Sequence, residues 1–225
     1  MWVLPSIDQE FVDRMEDVLR LYAKEHDPAE PVVCIDERPV QLHAAARPAI
    51  PMRPGKAARI DYEYVRKGTA NIFCIIEPKV GRRQTHATKN RKARAFAQAL
   101  RRIARRHPRA KAIHIVMDNL NTHCEKSLVT RYGQTKGAAL WKRFTVHYTP
   151  KHASWLDAAE MEASLVSRQC LGHRRISDLA TLQRQVSAWN AKADRDRIKI
   201  DWTFRVDDAR RVFRYDGITN QRSDH

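Results

Sequence analysis

The chain has 225 residues, and its 42 lysines and arginines against 26 acidic residues give a formal net charge of +16. This length suits one α/β domain with short appendages, and the charge favours a polyanion such as nucleic acid as the partner. An apolar run of membrane length, a signal peptide and a paired cysteine pattern are all missing from the sequence, so we expect a cytoplasmic protein that binds no membrane and has no disulfides.

The N-terminal segment predicts an amphipathic helix. Apolar residues recur at helical spacing between Ser6 and Lys24, and Ser6 with Gln9 matches the capping-box pattern. The polar segment HDPAEP, residues 26–31, ends the helix because its two prolines favour a turn. Residues 1–30 are therefore predicted to be an N-terminal helix and linker.

Strands are predicted to follow. The apolar run PVVCID predicts a buried strand that ends at Asp36, where Glu37-Arg38-Pro39 would turn the chain. The proline-rich interval 44–55 predicts an irregular loop. A hairpin with its turn at residues 66–68 would then lead into a second buried strand, NIFCIIE, at residues 71–77.

The next segment predicts a helix with one apolar and one basic face. Thr88 would cap it, and Pro108 lies just beyond its end. Its basic residues are Lys92, Arg94, Arg101, Arg102, Arg105 and Arg106. Two interpretations remain open: the basic face contacts phosphates, or it is an ordinary solvated helix face.

Two further strands carry or precede acidic residues. The stretch KAIHIVMDNLNTH, residues 111–123, predicts a short buried strand that stops at Asp118. Ligands of open α/β sheets bind beyond the carboxyl ends of the strands, so Asp118 occupies a position suited to catalysis, although a helix cap would look the same. The strand FTVHY at residues 144–148 then leads through a turn into a helix.

The start of this helix carries three acids with different expected roles. Ser154 and Asp157 match the capping-box pattern, which gives Asp157 a structural role. Glu160 lies one turn later and remains free, whereas Glu162 is about 200° round the helix from it and points away. We therefore expect Glu160 to face the strand ends and substitution of Glu162 to have little effect.

Asp36, Asp118 and Glu160 together form a candidate catalytic and metal-binding triad. Two of them end strands and the third opens a helix, and no Cys/His set of zinc type accompanies them. Such hard oxygen ligands suit Mg²⁺ or Mn²⁺, and two ions about 3.5 to 4 Å apart catalyse phosphodiester chemistry in other proteins. His114, His123, His147 and His152 match no ligand spacing and are interpreted as hydrogen-bonded or substrate-facing.

Four motifs resemble the DDE transposases of bacterial insertion sequences in the mariner superfamily, in particular the IS-six-thirty branch. They are VVCIDE (32–37), DYEYVRKGTANIF (61–73), VMDNLNTH (116–123) and HYTPKHASWLDAAEMEASLVSRQCL (147–171). The resemblance implies an α/β ribonuclease-H-like fold with a mixed five-stranded sheet and helices on both faces. By position, Asp36, Asp118 and Glu160 match the catalytic triad of that family.

The resemblance also implies function and partners. It implies Mg²⁺ or Mn²⁺, two ions per site, DNA cleavage and strand transfer, element ends and target DNA as partners, a homodimer in the active complex and association with the nucleoid. Residues 31–172 would form the catalytic domain and residues 173–225 a helical extension packed on it. A helix-turn-helix region typical of the family is not recognisable in this sequence, so a non-catalytic DNA-binding or hetero-oligomerising remnant remains the alternative.

Overall fold

The computed structural model describes residues 7–59 and 61–215, and these form a mixed six-stranded sheet covered by helices on both faces. The strands are β1 (Val32–Ala45), β2 (Tyr64–Glu77), β3 (Arg82–Arg83), β4 (His86–Thr88), β5 (Ile113–Met117) and β6 (Phe144–Tyr148). The α-helices are α1 (Gln9–Ala23), α2 (Ala93–Arg106), α3 (Glu125–Tyr132), α4 (Gln134–Trp141), α5 (Ala158–Leu165), α6 (Leu179–Asp196) and α7 (Val206–Phe213). The predicted layered α/β architecture is confirmed, with six strands instead of five: the predicted hairpin around residues 66–68 belongs to the single strand β2, and the short strands β3 and β4 are added beside it.

The strand order places β1 at the centre of the sheet. The order is β3-β2-β1-β5-β6, with β4 also paired to β2. β1 is antiparallel to β2 but parallel to β5, which is in turn parallel to β6. The parallel strands β1 and β5 therefore run side by side toward the edge of the sheet at which Asp36 and Asp118 were predicted.

The predicted turns at residues 37–39 and 66–68 are wrong, because β1 and β2 pair continuously as two long strands. Glu37 lies opposite Phe73 and Pro39 opposite Asn71. β1 pairs with β5 only as far as Cys34, and beyond it that edge of β1 has no strand partner in the described chain. Pro39, which has no N–H group to donate, is therefore tolerated in β1. Gly68, with φ +95°, lies in an irregularity of the pairing and forms a bulge instead of a turn.

Side-chain alternation along β1 divides the core into two apolar clusters. Cys34 packs on one face with residues of α1, α5 and α6, whereas Ile35 packs on the other face with α2 and α3. Cys34 and Cys74 are buried as predicted. The alternation has a consequence for the acids that follow: Asp36 belongs to the α5 face of the sheet and Glu37 to the α2 face.

Several helix caps differ from the prediction. Thr88 lies in β4, and α2 begins at Ala93. Asp8 caps α1, while the proposed cap Ser6 lies outside the described residues. Asp178 caps α6 through the main-chain N–H of Thr181. Within the described ranges, no helix is both long enough and apolar enough to span a bilayer.

Candidate active site

The register of the sheet places Asp36 and Asp118 at the same level. β1 and β5 pair from Val32 with His114 to Cys34 with Val116. The same register, continued two residues further, sets Asp36 beside Asp118. Two carboxylates with 81 residues between them in the chain are thus placed as neighbours at one edge of the sheet.

Asp36 has the electrostatic signature of a crowded acidic site. Burial is the main reason that the pKa of Asp36 is raised to about 7; the charges of Glu160, Glu37 and Asp118 also raise it, and the hydrogen bond that Asp36 Oδ1 accepts from the N–H of Glu37 lowers it. A buried carboxyl group beside other carboxylates is costly to ionise. A bound cation would stabilise its charged form.

Asp157 begins α5 and is itself its N-cap, so the predicted capping box with Ser154 is wrong. Residues 154–156 form a 3₁₀ turn, and Asp157 accepts a hydrogen bond of 2.8 Å from Ala159 N–H. Its pKa is well above the usual value because of burial and the charges of Asp36, Asp118 and Glu160. The capping role of Asp157 holds, while the mechanism of capping differs because the chain makes an extra turn first.

Glu160 lies in the first turn of α5 and is exposed. The helix start is held against β1 by Tyr22, whose hydroxyl donates to the carbonyl of Leu156 at 2.9 Å and accepts from Ala158 N–H at 3.3 Å. Tyr22 also contacts Cys34 Sγ at 3.2 Å. The sequence analysis did not identify this anchor, which fixes the helix carrying Glu160 beside the strand carrying Asp36.

On the other face of the sheet, His123 links Glu37 to Asp118. Its Nε2 donates to Glu37 Oε1 at 2.9 Å, and its Nδ1 donates to the main-chain oxygen of Asp118 at 2.9 Å and lies 2.7 Å from Asp118 Oδ1. Burial disfavours the charged ring, but the hydrogen bonds to Asp118 and Glu37 outweigh it and raise the pKa of His123 to about 10. The ring also stacks on Phe96.

These three residues bring ligand atoms within 4.8 Å of one another. Both nitrogens of His123 already donate hydrogen bonds, so neither offers a lone pair to a metal. Glu37 and His123 are therefore better described as a support for Asp118 than as ligands. Glu37 was missed because the predicted strand ended at Asp36, nine residues before the end of β1 at Ala45; a strand continued through Pro39 would have buried Glu37 on the α2 face.

The surroundings of Asp118 are suited to a role as a metal ligand. Its Oδ1 is buried beside His123 Nδ1, at 2.7 Å, whereas the side chain as a whole is 43% exposed. The carboxylate is therefore held by His123 on one side and open to a cation on the other. Asp36, Asp118 and Glu160 supply only hard oxygen atoms, the donor set that suits Mg²⁺ or Mn²⁺.

Glu162 points away from the acidic site as predicted, but it is not free. Its side chain is fully buried and its Oε2 accepts from Arg83 Nε at 3.0 Å. Thr85 donates to the other carboxylate oxygen at 3.3 Å. The expectation that Glu162 can be replaced with little effect is therefore wrong, because the side of α5 opposite Glu160 packs on the sheet instead of facing solvent.

A cleft of about 690 Å³ opens beside Asp118. Arg14 of α1 and Lys151 and His152 of the turn after β6 line it together with Asn119. His152 has φ +64°, a left-handed conformation that non-glycine residues rarely adopt and that is often found at functional sites. Of the three candidate acids, Asp118 lines this cleft, which also contains cationic side chains that can contact phosphate.

A mixed sheet covered on both faces, with carboxylates gathered where β1 and β5 approach one edge, defines the ribonuclease-H-like class of folds. The chain belongs to the DDE superfamily endonuclease family, whose profile matches residues 31–183. Among curated proteins, a sequence search finds no match.

Solved structures of Mos1 mariner transposase share the fold. The paired-end complex with Mn aligns with a TM-score of 0.54 at 15% identity, covering 87% of this chain and 60% of that one. The strand transfer complex gives 0.56 at 14% identity, covering 88% and 59%. The catalytic domain with Raltegravir and Mg gives 0.51 at 10%, covering 84% and 88%. This chain thus spans about 60% of the Mos1 chains in the DNA complexes.

Proposed function

We propose that this protein is the catalytic domain of a transposase, cleaving DNA phosphodiester bonds and transferring the strands for movement of an insertion sequence of the IS-six-thirty branch. The observation that carries the proposal is the strand register, which continued by two residues sets Asp36 beside Asp118; the charges of Glu160 and Asp118, which raise the pKa of Asp36, support the inclusion of Glu160. Membership of the DDE superfamily endonuclease family and the fold shared with Mos1, whose structures include paired-end and strand transfer complexes, support the proposal.

In this proposal, Asp36, Asp118 and Glu160 hold Mg²⁺ or Mn²⁺, as two ions per site, in keeping with the Mg and Mn present in the Mos1 structures. When bound, the ions would lower the pKa of attacking water and stabilise the leaving oxygen. Arg14 and Lys151 in the cleft hold the scissile strand through its phosphates. The active form is a homodimer that binds DNA at the element ends and at the target. It acts in the bacterial cytoplasm in association with the nucleoid.

The proposal keeps the domain bounds of the sequence prediction. Residues 31–172 form the catalytic domain in this proposal, because β1, β5 and α5 carry all three acids. Residues 173–225 are an extension, of which α6 contacts the β3–β4 side of the sheet and α7 contacts α1. The N-terminal helix α1 provides the Tyr22 anchor, so this helix contributes to the position of the site.

Replacement of Glu160 tests the third carboxylate. Glu160→Gln should remove nicking of a supercoiled plasmid in Mg²⁺ or Mn²⁺ and leave the melting temperature nearly unchanged, because the side chain is exposed. Glu125→Gln is the matched control, since Glu125 is also an exposed acid in the first turn of a helix. Asp157→Asn, which keeps an oxygen for the cap, should lose at most about 1 kcal/mol and part of the activity. An active Glu160→Gln enzyme would mean that another acid completes the site.

Replacement of His123 tests the support for Asp118. His123→Ala should raise the Mg²⁺ concentration needed for half-maximal nicking by about 10- to 100-fold, the usual effect of removing a group that orients a ligand. His123→Gln, which can still donate to one neighbour, should lose less. If His123 had a purely structural role, His123→Ala would lower the melting temperature, but the folded protein would need the same Mg²⁺ concentration for half-maximal nicking. Titration of nicking with Mg²⁺ therefore separates a structural role from support of Asp118.

A further inference from the structure

A second concave basic surface lies on the face of the sheet opposite α5. It is a cavity of about 510 Å³ between α2, α3, α4 and the residue before β6. We call it the α2–α4 cavity. The cations and the aromatic residue that line it are Arg101, Arg105, Arg131, Tyr132, Lys136 and Arg143, and no carboxylate is among the lining residues.

The positive charge of this cavity is not neutralised by acids of the fold. The ion pairs found in the described ranges involve other basic residues, such as Arg83 with Glu162, Arg106 with Asp194 and Arg210 with Glu16. None of the five cations in the cavity takes part in any of them. Like charges gathered in a concavity raise the local potential and attract anions.

Several of these side chains are held in place before any ligand arrives. The guanidinium groups of Arg101 and Arg131 lie 5.2 and 5.4 Å from the centre of the Tyr132 ring. The Tyr132 hydroxyl donates to the carbonyl of Ala97 at 3.3 Å. Arg131 Nε is buried and has no hydrogen-bond partner among the described residues. Side chains ordered in advance lose less entropy on binding, which favours a built site over a freely solvated face.

Arg143 has a structural role that must be separated from binding. Its guanidinium donates to the carbonyl of Ala104 at 2.9 Å and to the carbonyl of His107, and so satisfies the end of α2. The other cations have no such hydrogen bonds to the helix ends. A test of ligand binding should therefore leave Arg143 in place.

The basic surface extends across α2. A neighbouring cavity of about 550 Å³ shares Arg105 with the α2–α4 cavity and adds Arg102 and Arg106. The 14 residues of α2 extend over about 21 Å at 1.5 Å per residue, a length suited to several phosphates in a row instead of one small anion. Such a length with this charge matches the backbone of a nucleic acid.

We propose that the α2–α4 cavity binds backbone phosphates of DNA at a site separate from the acidic site. Arg143 directly precedes Phe144, which pairs with Ile113 at the start of β5, whereas Asp118 follows the end of that strand. Arg143 and Asp118 are thus about 20 Å apart along the sheet, given a rise of about 3.3 Å per residue. The choice of DNA as the polyanion rests on the proposed function, and the contact to phosphate rests on the cavity itself.

The test is binding of a fluorescent duplex in EDTA, followed by anisotropy at several salt concentrations. The triple variant Arg101→Gln/Arg131→Gln/Lys136→Gln should bind the duplex at least tenfold more weakly. The slope of log K against log salt should become less negative by about 0.9 for each phosphate that the variant no longer neutralises. Lys24→Gln/Lys192→Gln/Arg195→Gln removes the same charge from exposed residues that line neither α2 cavity, and it should change the slope much less. Arg101→Lys/Arg131→Lys should retain most of the binding.

If the two triple variants lost the same amount of duplex affinity, the loss would be explained by net charge alone and the proposal would be overturned. Displacement of the duplex by millimolar inorganic phosphate at constant ionic strength would also overturn it, since the cavity would then be a small-anion site. The measurement contains no divalent metal, so it is independent of catalysis. A chain that binds DNA through the cavity but never nicks it refutes the proposed function alone, whereas a chain that nicks normally with the triple substitution refutes this inference alone.

Discussion

Asp118→Asn should give a folded protein whose Mg²⁺-dependent nicking falls at least about a thousand-fold, equivalent to about 4 kcal/mol of transition-state stabilisation. Asparagine is nearly isosteric with aspartate but neutral. The substitution leaves one fewer charge beside Asp36, whose pKa Asp118 helps to raise. Asparagine also keeps an oxygen that can accept a hydrogen bond from His123 Nδ1, which lies 2.7 Å from Asp118 Oδ1. We therefore expect large loss of activity with little change in stability.

The measurement is the rate of plasmid nicking together with the melting temperature. Asp196→Asn, at an exposed position near the end of α6, is the control for loss of one negative charge. The pKa of Asp36 should also fall in Asp118→Asn, which can be followed by NMR of the carboxyl carbons. A well-folded Asp118→Asn protein that nicks at the wild-type rate would contradict the assignment of the site.

Glu162→Gln should be the most destabilising of the acid substitutions, with a loss of about 3 kcal/mol. The side chains of Arg83 and Glu162 are 3% and 0% exposed, so removal of the carboxylate charge leaves a buried guanidinium without its counter-ion. Breaking one side of a buried pair typically costs about 3 to 5 kcal/mol, and glutamine keeps one acceptor for Arg83 Nε. For a chain of this length the loss corresponds to a fall of about 6 to 12 °C in melting temperature.

The same variant separates stability from catalysis. Below its melting temperature, Glu162→Gln should nick DNA at close to the wild-type rate, because Glu162 lies on the opposite side of α5 from Glu160. Replacing both partners, as Arg83→Met/Glu162→Leu, removes the unpaired charge and should recover part of the lost stability. The measurements are thermal unfolding and nicking of the wild type, the single variant and the double variant. Unchanged stability in Glu162→Gln would show that the Arg83–Glu162 ion pair contributes little.

Glu160 and Glu162 show what secondary structure predicts about a side chain and what only tertiary structure decides. Helical periodicity alone predicts that the two side chains point in different directions. It does not say whether the second direction is solvent or core. That is decided by the packing of α5 on β1 and β2, which brings Glu162 against Arg83, a residue 79 positions away in the chain.

The sequence by itself determined the buried strand segments that lead into Asp36 and Asp118 and the layered α/β class, and it proposed the three acids. Apolar runs, capping residues and breakers are local signals, and the residues that express them are adjacent in the chain. Local signals failed where pairing over long distances overrides them. Pro39 and Gly68 predict turns, yet the pairing of β1 with β2 carries both through as strand residues.

Only the tertiary structure decided which groups surround the acids. Glu37 and His123 are 86 residues apart, and Tyr22 and Leu156 are 134 apart, so neither contact leaves a local pattern in the sequence. The α2–α4 cavity is a similar case. Its cations read as an ordinary solvated helix face until α3 and α4 pack beside α2, because concavity and the absence of neighbouring acids are properties of packed elements and not of any single segment.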